Sequence, residues 1–283
     1  MAEDCRNGWQ MDLKYPITGR LKKPRKQGLT MVLDKGLGVN ALKDLLEISS
    51  EYIDFLKFSF GTSFVYPLHI LKEKINLARQ YGLEVFPGGT LFEVALSQKK
   101  LNDYLFRAKQ LGFTSIEISN GSLEFPQKLR QEAIYKANSL GFKVLTEVGK
   151  KDQANPLSVD EIKEQIEQDQ RNGAELVIIE GRESGKGVSI YQDDGQLDRV
   201  MLEGILSIGQ EIKGNLIWET PLKKQQVALI NRLGPNVNLG NIAVDQVIAL
   251  EALRQGLRAD TFANTLSDNL LTPLAESGKS MGA

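Results

Sequence analysis

Four glycines constrain this chain more than any other feature. Gly82, Gly112, Gly141 and Gly173 follow one another at spacings of 30, 29 and 32 residues. Each separates an amphipathic stretch from a short apolar run, as in Tyr81-Gly82-Leu83, Leu111-Gly112-Phe113, Leu140-Gly141-Phe142 and Asn172-Gly173-Ala174. Glycine enters the left-handed conformation without a Cβ clash, so it ends a helix just before a strand. Gly214 and Gly234 continue the series less regularly. A period near 30 residues, with one helix and one strand in each, is a β/α array. The apolar runs predict strands over 29–34, 53–59, 83–87, 115–119, 143–148, 175–180, 215–219 and 236–240. Between them, Leu68, Leu71, Ile75, Ala78 and Tyr81 share one helical face within 67–81. Ser158 and Glu161 form a capping-box pattern that starts a helix over 158–173.

Most of the strands are apolar on both alternating faces, as in Leu176 to Ile179. A strand with no wet side belongs to a parallel sheet covered by helices. Eight such units predict a single (β/α)8 TIM barrel, an α/β fold; an open doubly wound sheet is the alternative. No G-x-G-x-x-G follows a strand, which weakens a dinucleotide-binding version of that alternative. The 283 residues would make two domains at about 150 residues each, but a barrel of about 250 residues is a standard exception. The expected organisation is an irregular N-terminal lead-in over 1–28, the barrel over 29–262 and a C-terminal tail over 263–283. The lead-in carries a basic cluster, Arg20, Lys22, Lys23, Arg25 and Lys26, around Pro24. It reads as a solvated approach to the first strand; a nucleic-acid arm is the rival.

Composition closes off several functions. Lys plus Arg is 35 and Asp plus Glu is 36, for a net charge of -1. Such balance argues against attachment to nucleic acid or an anionic membrane by bulk charge. No apolar run approaches the ~18 residues of a membrane span. With one Cys (Cys5) and one His (His69), neither a Cys/His zinc site nor an internal disulfide can form. His69 falls in a helical stretch and reads as a helix-surface residue. Proton transfer near neutral pH therefore falls to Lys, Glu, Asp or Tyr with shifted pKa values. Met1 to Arg6 lacks the apolar core of a secretory signal, so a cytoplasmic protein is expected. Barrels commonly associate, and a homo-oligomer is the default expectation.

In barrels the reactive groups stand at the C-terminal ends of strands. Here those ends are polar: Asp34-Lys35-Gly36, Lys57-Phe58-Ser59, Pro87-Gly88-Gly89-Thr90, Glu117 with Ser119, Glu147, Glu180 and Glu219. Charges at the tips of apolar strands are costly unless paired or bound to a metal. Glu117, Glu147, Glu180 and Glu219 recur at equivalent places. An all-oxygen set of this kind suits Mg²⁺, and a ring of salt bridges satisfies it equally. Gly181 to Gly187 has the composition of an anion loop without being a Walker A motif; a flexible surface loop is the alternative. Gly240-Asn241-Ile242 is a second candidate, because phosphate sites in barrels often use late loops.

Taken in order, Leu29 to Gly36, Lys57 to Ser63, Pro87 to Glu93, Glu117 to Gly121, Leu145 to Lys151, Ile179 to Gly187 and Val237 to Ile242 resemble the phosphosulfolactate synthase family. The similarity runs from about Leu29 to Phe262. It implies a (β/α)8 barrel and a Mg²⁺-dependent carbon–sulfur lyase that joins phosphoenolpyruvate and sulfite as (2R)-phospho-3-sulfolactate. In that family the product leads to coenzyme M in methanogens and to sulfolactate in some bacteria. On strand-end placement together with this resemblance, Lys151 is the expected general acid, with Lys150 as runner-up. Lys35, Lys57 and Arg182 are expected to hold carboxylate, sulfite or phosphate. Ser184, Gly185 and Lys186 form the expected phosphate loop, joined by Asn241. Asp34, Glu147 and Glu180 are expected near the metal. A Schiff-base aldolase on a strand-end lysine and a non-enzymatic stress-related barrel are the rival readings.

Overall fold

A computed structural model describes residues 13–149, 157–188 and 190–263 of the chain. Eight parallel strands run β1 Thr30–Asp34, β2 Phe55–Phe58, β3 Glu84–Phe86, β4 Ser115–Ile118, β5 Lys143–Val148, β6 Leu176–Ile179, β7 Leu216–Glu219 and β8 Leu239–Ala243. Their hydrogen-bonded order is β3-β2-β1-β8-β7-β6-β5-β4, a cylinder open only between β3 and β4. Thr114 spans that seam. Its N–H donates to the Val85 carbonyl at 3.1 Å, and its hydroxyl accepts from the Val85 N–H at 2.9 Å. The fold is the expected (β/α)8 barrel.

Successive side chains in a strand point to opposite faces, and the two faces have separate cores. Met31, Phe55, Phe86, Leu145, Ile178 and Ile217 fill the barrel interior, with Leu29 and Leu176 below them. Val32, Leu56, Val85, Val144 and Val177 face outward and pack on helical residues such as Leu46, Ile75, Ile134 and Ile166. The helices follow the predicted patterns: Leu68–Gln80 carries an exposed His69, and Val159–Arg171 starts with the complete Ser158–Glu161 capping box.

Two expectations are corrected. The last strand lies about three residues later than predicted, because Gly240 and Asn241 are inside β8. Thr30 pairs with Leu239 but Val32 with Ile242, so β8 carries one extra residue, a bulge opposite Met31. Glycine and asparagine depress strand propensity, which hides this strand in the sequence. The lead-in is also not simply solvated. Arg25 pairs with Asp54 at 2.8 Å, with their side chains only 2% and 9% exposed. Arg20 pairs with Glu251 at 3.1 Å, and the Ile17 N–H donates to the Gln255 carbonyl. These ties fasten the segment across the N-terminal end of the barrel.

Candidate active site

At the opposite end, the strand period sets which charges enter the barrel. Phe55, Leu145, Ile178 and Ile217 point inward. Two residues further on, Lys57, Glu147, Glu180 and Glu219 therefore point inward as well. All four are buried. With Glu117, Arg182 and Asn241 they line a cavity of ≈ 270 Å³.

Lys57 is the hub. Its Nζ lies 2.9 Å from Glu117, 3.3 Å from Glu219 and 3.8 Å from Glu147. Burial opposes its charge, but the three carboxylates outweigh burial and hold the ammonium well above the ordinary lysine value. Burial pushes the Glu117 carboxyl up, Lys57 opposes this and repulsion from Glu147 adds to it, leaving it at about 7. Burial likewise raises Glu219, against the pull of Lys57.

Neighbouring elements fix these groups. Glu117 Oε1 accepts the Gly89 N–H at 2.9 Å, at the start of the helix Gly89–Ser97. A Cβ on Gly89 would sit 2.5 Å from that oxygen, so only glycine permits this approach. Glu219 Oε2 accepts the Gly181 N–H at 3.0 Å. The Ser119 hydroxyl lies 2.7 Å from Glu93 Oε1 and 2.8 Å from Glu147 Oε1. Behind β5, buried Arg130 chelates Asp169 through Nε (2.7 Å) and Nη2 (2.6 Å) and donates to the Glu147 carbonyl at 2.9 Å. The bulge in β8 turns Asn241 into the cavity at φ 55°. Its Nδ2 donates to the Arg182 carbonyl at 3.2 Å, while the Arg182 N–H donates to Glu180 Oε1 at 2.7 Å. Arg182, itself at φ 59°, is thus held from both sides.

The expected site residues divide clearly. Lys57, Arg182, Glu147, Glu180 and Asn241 meet in the cavity. Lys35 stands at its rim, paired with Glu183 and 5.9 Å over the Phe60 ring. Asp34 does not join the carboxylates. It follows Val32 on the outward face, pairs with fully buried Lys74 at 2.6 Å and accepts the Gly36 and Leu37 N–H groups. Ser184 and Lys186 are exposed, and neither they nor Gly185 line the cavity. Gly185 turns toward Gln225, whose Nε2 donates to its carbonyl at 2.7 Å. The stretch Gly240-Asn241-Ile242 is strand, not a phosphate loop. Lys150 and Lys151 lie outside the described residues, directly after the β5 end.

Glu219, rather than Asp34, clusters with Glu147 and Glu180. One oxygen from each of Glu147, Glu180 and Glu219 lies within 4.8 Å of the others. Three buried carboxylates so close together fit a hard divalent cation such as Mg²⁺. The signal was in the sequence: an apolar residue followed two positions later by Glu, shared by β5, β6 and β7.

Fold and site together define a (β/α)8-barrel protein with an acidic, lysine-centred bowl at the C-terminal end of its strands, the position of barrel enzyme sites. The family model for (2R)-phospho-3-sulfolactate synthase (ComA) matches residues 18–260. The chain belongs to this family. It is 47% identical over 239 residues to the phosphosulfolactate synthase of Methanocaldococcus jannaschii, covering 84% of this chain and 94% of that one. With the phosphosulfolactate synthase of Bacillus subtilis it shares 42% over 254 residues, 89% and 98% of the two chains. Protein HEAT-STRESS-ASSOCIATED 32 of Arabidopsis thaliana is 27% identical over 261 residues, 83% and 88%. Among the described residues no helix is long and apolar enough to cross a membrane.

Proposed function

We propose that the protein catalyses the Mg²⁺-dependent addition of sulfite to phosphoenolpyruvate, giving (2R)-phospho-3-sulfolactate. The observation that carries this reading is the juxtaposition, in a member of this family, of the Glu147, Glu180 and Glu219 cluster with Arg182 in one cavity. Sulfite is already a good nucleophile, so the protein needs no activated Ser or Cys. Its sulfur lone pair forms the bond to C3, the C2–C3 π electrons move toward the carboxylate, and C2 takes a proton. Glu147, Glu180 and Glu219 would hold a Mg²⁺ ion, which would supply positive charge to offset the negative charge that develops on the carboxylate. Arg182 and, at the rim, Lys35 attract and orient the anionic groups. Lys57 stays protonated among its carboxylates and keeps them in place. Lys151 delivers the proton to C2, with Lys150 as the alternative donor.

A Schiff-base aldolase needs a neutral lysine amine. The carboxylates within 4 Å of Lys57 favour its charged form, which counts against Lys57 as the amine of such a reaction. Identity to the two synthases is also well above that to the heat-stress protein. The decisive assay combines purified protein, Mg²⁺, phosphoenolpyruvate and sulfite and follows loss of the enol absorbance. EDTA is expected to stop turnover and added Mg²⁺ to restore it. Lys151→Ala is expected to lower turnover at least ~10²-fold with the fold intact. No loss of absorbance with the wild-type protein refutes the reading.

A further inference from the structure

The basic cluster of the lead-in takes no part in the bowl, yet it borders a larger cavity, of ≈ 900 Å³, at the other end of the barrel. Leu29, Phe55 and Leu176 give this cavity an apolar side. Residues of the lead-in, among them Lys23 and Lys26, line it, as does Gln170 from the helix Val159–Arg171.

Two donors bordering this cavity have no acceptor. The four carboxylates that border it are engaged: Asp54 accepts from Arg25 and from the Thr30 N–H, Glu84 and Glu175 both pair with Lys143, and Glu51 is not free either. Lys23 is different. Its neighbours Lys22 and Lys26 are exposed, whereas its Nζ is buried without a hydrogen-bond partner. A lysine stem is long enough to carry its ammonium into water, so an inward, unpartnered head is an unfavourable arrangement without an acceptor. Gln170 Nε2 is likewise buried without a partner. Burial pushes the Lys23 ammonium below its usual range, although Asp54 partly offsets this. An ammonium has three donors and no acceptor, so whatever fills this place must bring oxygens that accept.

We propose that the N-terminal end of the barrel binds a small organic anion, its carboxylate or phosphate group accepting from Lys23 and Gln170 and its apolar body resting on Leu29, Phe55 and Leu176. The site is separate from the bowl; the interior layer of Met31, Phe86, Leu145, Ile178 and Ile217 lies between the two ends.

Calorimetric titration of the full chain with benzoate and with inorganic phosphate tests this, comparing wild type, Lys23→Met, Gln170→Leu and Arg182→Met. Benzoate is the carboxylate with an apolar body; phosphate presents the oxyanion alone. The expected result is a binding step for at least one probe that survives Arg182→Met and weakens about tenfold or more in Lys23→Met. Gln170→Leu is expected to weaken the same step less. It supplies the same comparison from another wall should Lys23→Met fail to fold. Tighter binding of benzoate than of phosphate assigns the site to an organic carboxylate; the reverse order assigns it to a phosphate group. Turnover is expected to stay unchanged in Lys23→Met, which separates this site from the catalytic reading. Binding that vanishes in Arg182→Met, that is equal in wild type, Lys23→Met and Gln170→Leu, or that is absent for both probes overturns the proposal.

Discussion

The two ends of the barrel use the same residue types in opposite ways. At the N-terminal end, unlike charges meet: Arg25 with Asp54, Arg20 with Glu251, and Lys143 with Glu84 and Glu175. At the C-terminal end, like charges crowd together. Glu147, Glu180 and Glu219 approach within 4.8 Å, and Glu117 joins them around Lys57. Paired charges fasten the lead-in to the barrel. Crowded carboxylates oppose folding unless cations offset them, as Lys57 does in part, and this is the end where the proposed chemistry is placed.

Breaking the hub should have the largest effect. Lys57→Met leaves buried carboxylates facing one another. Removing one partner of a buried ion pair costs about 3–5 kcal/mol, and we expect a loss in that range by urea denaturation, with turnover lost. Arg25→Met at the other end is expected to cost about 3 kcal/mol by the same rule, yet turnover per folded molecule should be unchanged. Equal loss of turnover in both variants would erase the distinction between the ends.

A smaller effect comes from pH. Glu117 sits at about 7, raised from an ordinary 4.5. Between those values the folded state binds more protons than the unfolded one, so this group's contribution to stability falls as pH rises from about 4.5 to 7. In Mg²⁺-free protein, Tm should show this downward component, and Glu117→Gln should flatten it. An unchanged slope would mean that Glu117 titrates normally. The smallest effect belongs to the rim. Lys35 and Glu183 are 42% and 54% exposed, and exposed pairs contribute about 0.2–1 kcal/mol. Lys35→Met should therefore leave stability within 1 kcal/mol while raising the KM for phosphoenolpyruvate.

Much of this architecture was legible because it follows from local rules. The glycine helix stops and doubly apolar strands encode the barrel, and the two-residue period sends Glu147, Glu180 and Glu219 inward. The same period sends Asp34 outward with Val32, so strand-end position alone misplaces it. Other features depend on contacts between distant segments. Gly181 to Gly187 has an anion loop's composition, but Gln225, about 40 residues on, turns Gly185 away from the bowl. Arg130 and Asp169 look like ordinary polar positions on two helices, and only packing makes them a buried pair behind Glu147. The grip of Arg20 and Arg25 on the barrel was hidden for the same reason: their partners lie 231 and 29 residues away.

The added residue in β8 shows what regularity would forfeit. Delete one amino acid at Gly240-Asn241 and the neighbouring ladders could run without interruption, a tidier cylinder by every measure of backbone pairing. Were Asn241 the residue lost, the amide that steadies Arg182 would go with it; were Gly240 lost, a side chain would stand where the glycine now packs on Met31. A small fault in the weave lets one strand set a glycine against Met31 and an amide in the bowl side by side.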